Sequence, residues 1–178
     1  MRTRKSGGLG HAVVAVLLFV AGCAADLKAE TVSAPPSAFA AHRAFSIGPP
    51  PAAPSDTHES DITNALAKAA EPLVATELSH KRYQEAAPGT EGDLTVRVGC
   101  TATTMHHSPR RERGTGETIP TPDTTIGTFV VDVMDAKGEQ RLWHGQTTAE
   151  LDSSGDNNEI VRNAVTAVLK GFPSATAN

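Results

Sequence analysis

The sequence lacks most of the features that would classify it quickly. Two cysteines in 178 residues cannot build a disulfide scaffold, and nothing in the chain has the spacing of a zinc cluster. The main apolar run, Ala12 to Ala21, is ten residues long, far short of the roughly 20 that a membrane-spanning helix needs. Positive charge is outnumbered beyond the extreme N-terminus, where Arg2, Arg4 and Lys5 lie. Without residues 1–22, Lys and Arg fall from 16 to 13 against 20 acids, a net charge of −7. So acidic a domain argues against nucleic-acid binding. There is no Gly-x-Ser-x-Gly elbow, His-Glu-x-x-His helix or phosphate-cradling glycine loop. The apolar fraction of 39% and charged fraction of 20% sit near globular averages and exclude a wholly disordered chain. The length fits one domain.

What is present begins at the N-terminus. Residues 1–11 are basic, and the apolar run follows them directly, which is the physical signature of a secretory signal. A core helix can be equally short, but position, basic flank and ending all oppose that reading. The ending, Val20-Ala21-Gly22-Cys23, resembles the lipobox of bacterial lipoproteins. Small residues let a peptidase approach the backbone, and the thiol is the one good nucleophile there for a diacylglyceryl group. The resemblance implies a signal peptide over 1–22, thioether lipidation of Cys23, cleavage before it and acylation of the new amino terminus. Stable anchoring takes at least two lipid signals, and three chains on one residue exceed that. Ala24 replaces the aspartate that marks inner-membrane retention in the enterobacterial pattern, so an outer-membrane anchor facing the periplasm is expected.

Residues 23–38 read as the lipidated N-terminus and a flexible tether, being small, polar and proline-containing without periodicity. A domain over 39–173 and a tail over 174–178 follow. Phe39, Phe45 and Ile47 share one alternation phase and predict a short strand. Prolines 49–51 and Pro54 then interrupt regular structure. Asp56 and Glu59 have capping-box spacing. Ile62, Leu66, Ala69 and Leu73 recur at helical spacing, with Ala65, Ala70 and Val74 widening the stripe. Pro72 predicts a kink or break, with a second helical piece near Leu73–His80; Tyr83 would close over the helix end.

Residues 93–100 alternate cleanly, with Leu94, Val96, Val98 and Cys100 on one face, so Cys100 reads as an inert core thiol. Residues 104–125 read as a long polar loop. Thr128–Met134 and Arg141–Leu151 read as strands joined by a tight turn with Gly138, with Trp143 and His144 on opposite faces. Asp156, Asn157 or Asn158 can cap a last helix with Ile160, Val161, Ala164, Val165, Val168 and Leu169 on its apolar side. Gly171 is expected to be left-handed there, with Phe172 folding back and Pro173 stopping the helix. The fold class is therefore α+β, in the order β-α-β-β-β-α. About four strands form a small mixed or antiparallel sheet, with two helices on one face.

Taken in order, Phe45-Ser46-Ile47, the helix ending Leu78 to Tyr83, Asp93-Leu94-Thr95-Val96, Gly127 to Asp135, Leu142-Trp143-His144-Gly145 and the closing Phe172-Pro173 resemble the DUF4136 lipoprotein domain. Arg82, where that family often has glycine, and the 104–125 segment depart from its pattern. The resemblance implies an envelope lipoprotein with a small α/β domain, and it brings no catalytic residues.

Candidate chemistry is thin. His106 and His107, joined by His144, are the nearest approach to a metal site, but adjacent histidines on extended backbone point to opposite faces. Asp132 and Asp135 near Glu139 form a carboxylate group of the kind that usually solvates a strand end. Arg110, Arg111 and Arg113 make a local basic patch that could contact lipid headgroups, lipopolysaccharide phosphate or an acidic partner. The expectation is a non-enzymatic binding or scaffolding module. Its partners are the membrane, through lipid on Cys23, and an envelope protein or glycan, with no metal, cofactor or nucleic acid. The alternative is a small periplasmic hydrolase or metal-dependent enzyme built on the loop histidines.

Overall fold

The computed structural model describes residues 27–50, 57–87, 89–114, 116–137 and 140–176. The signal segment, Cys23, the Asp56 cap, Gly138 and Glu139 lie outside them. Eight strands and two α-helices follow in chain order: β1 (Glu30–Ser33), β2 (Ala44–Ile47), α1 (Thr57–His80), β3 (Gln84–Glu85), β4 (Leu94–Met105), β5 (Arg110–Arg111), β6 (Thr118–Ile119), β7 (Thr124–Asp135), β8 (Arg141–Leu151) and α2 (Asn158–Leu169). A 3₁₀ turn, Pro36–Phe39, links the first two strands.

The main sheet has six strands in the order β1-β8-β7-β4-β2-β3, not about four. The two extra strands are both edges. β1 (Glu-Thr-Val-Ser) is exposed along its length, so no apolar alternation announces it, and β3 has only two residues. The central hairpin β4–β7 pairs antiparallel from Leu94↔Asp135 to Met105↔Thr124. β8 runs antiparallel to β7 and β1 antiparallel to β8. β2 reaches β4 through α1 and lies parallel to it, Phe45 opposite Leu94, as expected for a strand–helix–strand crossover.

Alternation explains the layering. Leu94, Val96, Val98, Cys100 and Ala102 of β4, with Phe129, Val131 and Val133 of β7, are buried because they all point to the face that α1 and α2 cover. Thr101 and Thr103, on the other phase of β4, are exposed. Burial pushes the Cys100 thiol up to about 12, the behaviour of a small hydrophobe.

Helix α1 is one continuous helix across Pro72, not two pieces. A proline removes one backbone donor, but the Pro72 ring is exposed, and the Pro72 carbonyl accepts from the Thr76 hydroxyl at 2.8 Å. Its buried stripe is Leu66, Ala67, Ala70, Val74 and Leu78. Ile62, Ala69 and Leu73 flank it, and Ala65 is exposed.

The end of α1 is a Schellman motif. The Tyr83 amide donates to the Leu78 carbonyl at 3.1 Å, and the Arg82 amide to Ser79 at 2.9 Å. Arg82 takes the left-handed position, with a φ of 70°, which a side chain with a Cβ occupies at a cost of about 1–2 kcal/mol. Arg82→Gly should therefore raise the unfolding free energy by about 1 kcal/mol after allowing for glycine's looser unfolded state. A melting temperature higher by roughly 2–4 °C is the expected reading, and a lower one would show that the arginine side chain outweighs its backbone strain.

Two boundaries move. The tether expected over 23–38 is a strand and a 3₁₀ turn from Glu30 onward, and Leu27 and Ala29 already pack against the core. The Thr147 hydroxyl, 2.9 Å from the Lys28 carbonyl, fastens this stretch to β8. At the other end the expected tail is held down: Ala175 is buried and its amide donates to the Lys81 carbonyl at 2.9 Å. Gly171 is not among the residues with positive φ. Its small size serves close approach instead, since a Cβ there would stand 3.2 Å from Trp143 Cη2.

Candidate functional site

Two surfaces carry the polar side chains singled out by sequence. The first grows from the β4–β7 hairpin. The 104–125 segment is not an open loop: β4 continues to Met105, β7 starts at Thr124, and between them β5 and β6 pair as a small hairpin arm, Arg110 opposite Ile119 and Arg111 opposite Thr118. An isolated two-stranded ribbon is marginal in water, so this one depends on the twelve-residue ladder that feeds it. At its base the His106 Nδ1 lies 2.9 Å from Asp123 Oδ2. His107 Nε2 lies 3.2 Å from the Thr124 hydroxyl. The His106 hydrogen bond, above all, holds the Asp123 carboxyl below the usual carboxylate range. At the tip, the Glu112 amide donates to the Glu117 carbonyl at 2.9 Å and Arg111 Nε donates to the Gly116 carbonyl at 3.3 Å. Every described side chain from Met105 to Asp123 is exposed, including Arg110, Arg111 and Arg113.

The second surface is the sheet face that no described helix covers. Arg97, Asp132 and His144 fall in one row across β4, β7 and β8, Arg97 opposite Asp132 and Asp132 opposite His144. Asp132 Oδ1 accepts from His144 Nδ1 at 2.8 Å and from Arg141 Nη1 at 3.5 Å. Asp135 lies on the opposite phase of β7, where its Oδ1 accepts from the Gln140 amide at 3.2 Å. The two carboxylates therefore do not share a face. The Asp132–His144 pair escaped sequence reading because it needs the β7–β8 register. Alternation alone would have placed both residues opposite the buried Val131 and Trp143.

The histidines do not converge. His107 stands beside Thr124 and His144 opposite Asp132. Those two positions of β7 are eight residues apart, about 27 Å along a strand. Among the described residues no group of three His, Cys, Asp or Glu side chains is placed to hold a metal ion. Nor is any described helix long and apolar enough to cross a membrane. A cleft of about 510 Å³ opens between the N-terminal half of α1 and the first turn of α2, lined by Ile62, Leu66, Ala69, Leu151, Val161 and Asp152 among others.

Residues 30–174 match the family model described as a domain of unknown function, DUF4136. The chain belongs to the DUF4136 family. Two crystal forms of the PelC dodecamer from Paraburkholderia phytofirmans share the fold, with a TM-score of 0.51 in each case. They are 14% and 12% identical, and the match covers 84% of this chain and 99% of theirs. A DUF4136 family protein from Bacteroides thetaiotaomicron is 13% identical with a TM-score of 0.42, covering 83% of this chain and 94% of that one. No curated protein matches. The DUF4136 motifs fall on the framework: Phe45 in β2, Leu94 and Val96 in β4 and Trp143 in β8 are all buried. The arm, by contrast, lies within the 104–125 segment.

Proposed function

We propose that this DUF4136 protein is a lipid-anchored lipoprotein of the bacterial cell envelope. It is held in the outer membrane by Cys23, faces the periplasm and acts as a non-enzymatic binding or scaffolding module. The observation that carries the reading is the order at the N-terminus: basic segment, ten-residue apolar run, Val-Ala-Gly-Cys, and folded chain from Leu27 on. A thioether at Cys23 makes the bilayer part of the protein's working environment. The binding half of the reading draws on the geometry of the polar groups. His106 and His107 are engaged at the base of the arm, and the exposed guanidiniums project beyond it, an arrangement suited to contact. The scaffolding half draws on fold likeness to PelC, whose structures are dodecamers.

The test is the N-terminal chemistry itself. Wild-type protein isolated from membranes should begin at a lipidated residue 23 by intact mass. Cys23→Ser should accumulate as unlipidated precursor, with its mature form absent from the membrane fraction. An intact Met1 start or a bare thiol at position 23 in wild-type protein would overturn the reading.

A further inference from the structure

The described chain enters the fold at the same end of the sheet from which the basic arm departs. β1 pairs antiparallel with β8, Glu30 opposite Gln146, and the preceding Lys28 is tied to Thr147. The chain therefore enters the fold beside the C-terminal half of β8. Leu151 at the end of β8 pairs with Thr125, and Thr124 pairs with Met105, from which the arm departs. Four residue steps separate Leu27 from Cys23, a reach of at most about 14 Å. The opposite end of the sheet lies some twelve residues away along β4, about 36 Å.

We propose that the β5–β6 arm is a second membrane contact, in which Arg110, Arg111 and Arg113, with Lys28, bind the phosphates of anionic lipid headgroups in the leaflet that holds Cys23. This rests on the lipoprotein reading above. Guanidinium groups match phosphate oxygens in a bidentate fork, and basic side chains near an anionic surface are each attracted to it. Carboxylates share this end: Glu112 and Glu117 on the arm, Asp123 at its base beside His106, Glu150 in β8, Asp152 and Asp156 after it, and Glu159 in the first turn of α2. They repel the same surface, so the contact falls to the guanidinium groups themselves, on an arm exposed along its length. Lys81, Arg82, Lys137 and Lys170 form a second basic group, but at the far end of the sheet. One lipidated cysteine and an arm of arginines together fix an orientation, which a lipid alone cannot do.

The test uses the full lipidated chain carrying Thr118→Cys on the arm or Ala136→Cys at the far end. Each is inserted into vesicles of equal parts phosphatidylcholine and phosphatidylglycerol, doped with a maleimide-headed lipid. Cys100, buried with its thiol pushed up to about 12, does not compete. Position 118 should be captured many-fold faster than position 136. Changing Arg110, Arg111 and Arg113 to glutamine should slow capture at 118 by roughly fivefold per arginine removed. High salt or pure phosphatidylcholine should slow it likewise. Equal rates at 118 and 136, or rates at 118 indifferent to the glutamines, would overturn the proposal. Intact mass of the same sample separates the two ideas. A lipidated chain with no preference for 118 sinks the arm contact alone, whereas an unlipidated Cys23 sinks both.

Discussion

Truncating Trp143 to alanine should lower the unfolding free energy by about 3 kcal/mol. The side chain is 2% exposed and stands edge-on to Phe172, centroids 5.4 Å apart at 86°. Phe172 in turn lies 5.3 Å from Phe39 and 5.6 Å from Tyr83. Losing the indole leaves a cavity against Phe172, the ring that the other three share, and deletions of that kind cost about 3–5 kcal/mol. One effect runs the other way. The indole Nε1 is buried with no hydrogen-bond partner among the described residues, and an orphaned donor costs about 1–3 kcal/mol that the alanine relieves. The net therefore falls at the low end of the range. Trp143→Phe, which keeps a ring against Phe172 and discards the orphaned donor, should cost only about 1 kcal/mol by the same reasoning. Urea unfolding followed by far-ultraviolet circular dichroism measures both. An unchanged midpoint for the alanine variant would mean that the four-ring cluster does not support the fold.

Gly145→Ala should be as damaging as the loss of the tryptophan, through excess volume instead of a cavity. A Cβ at position 145 would lie 2.7 Å from Val168 Cγ1, 2.9 Å from the Val168 carbonyl oxygen and 3.1 Å from Trp143 Nε1. A methyl group can rotate away, but a helix carbonyl cannot. Helix α2 must lift off β8, and overpacking of this kind costs up to about 3 kcal/mol. Adding Val168→Ala should recover only part of the loss, because it removes the methyl and leaves the carbonyl. Thr148→Ala, exposed on the uncovered face of the same strand, should shift stability by no more than about 0.5 kcal/mol. A Gly145→Ala variant melting with the wild type would show that α2 is not seated where Val168 places it.

The framework was legible because its signals are local. Alternation at Leu94, Val96 and Val98 placed β4, and helical spacing from Ile160 to Leu169 placed α2. The order β2-α1-β4-β7-β8-α2 follows the expected one. What escaped was structure fixed by distant partners. β1 is exposed and becomes a strand because β8 offers it a free edge, so Glu30 to Ser33 carry no apolar pattern to read. The arm carries no strand signal for the same reason: Arg110, Arg111, Thr118 and Ile119 are polar or exposed, and their pairing is inherited from the long hairpin beneath them. Pro72 misled in the opposite sense, because a single lost donor on an exposed helix face is tolerated when the opposite face is packed. The pairing of Asp132 with His144 needed the β7–β8 register, which shifts at Val133 and Met134, a bulge with no signature in sequence.

The four-ring cluster, at the end of the sheet opposite the β5–β6 arm, contains the only tryptophan and the only tyrosine of the chain. All intrinsic ultraviolet emission therefore originates around Trp143, Tyr83 and Phe172, a sheet's length from the arginines. Emission will follow unfolding of the core while remaining blind to events at the arm.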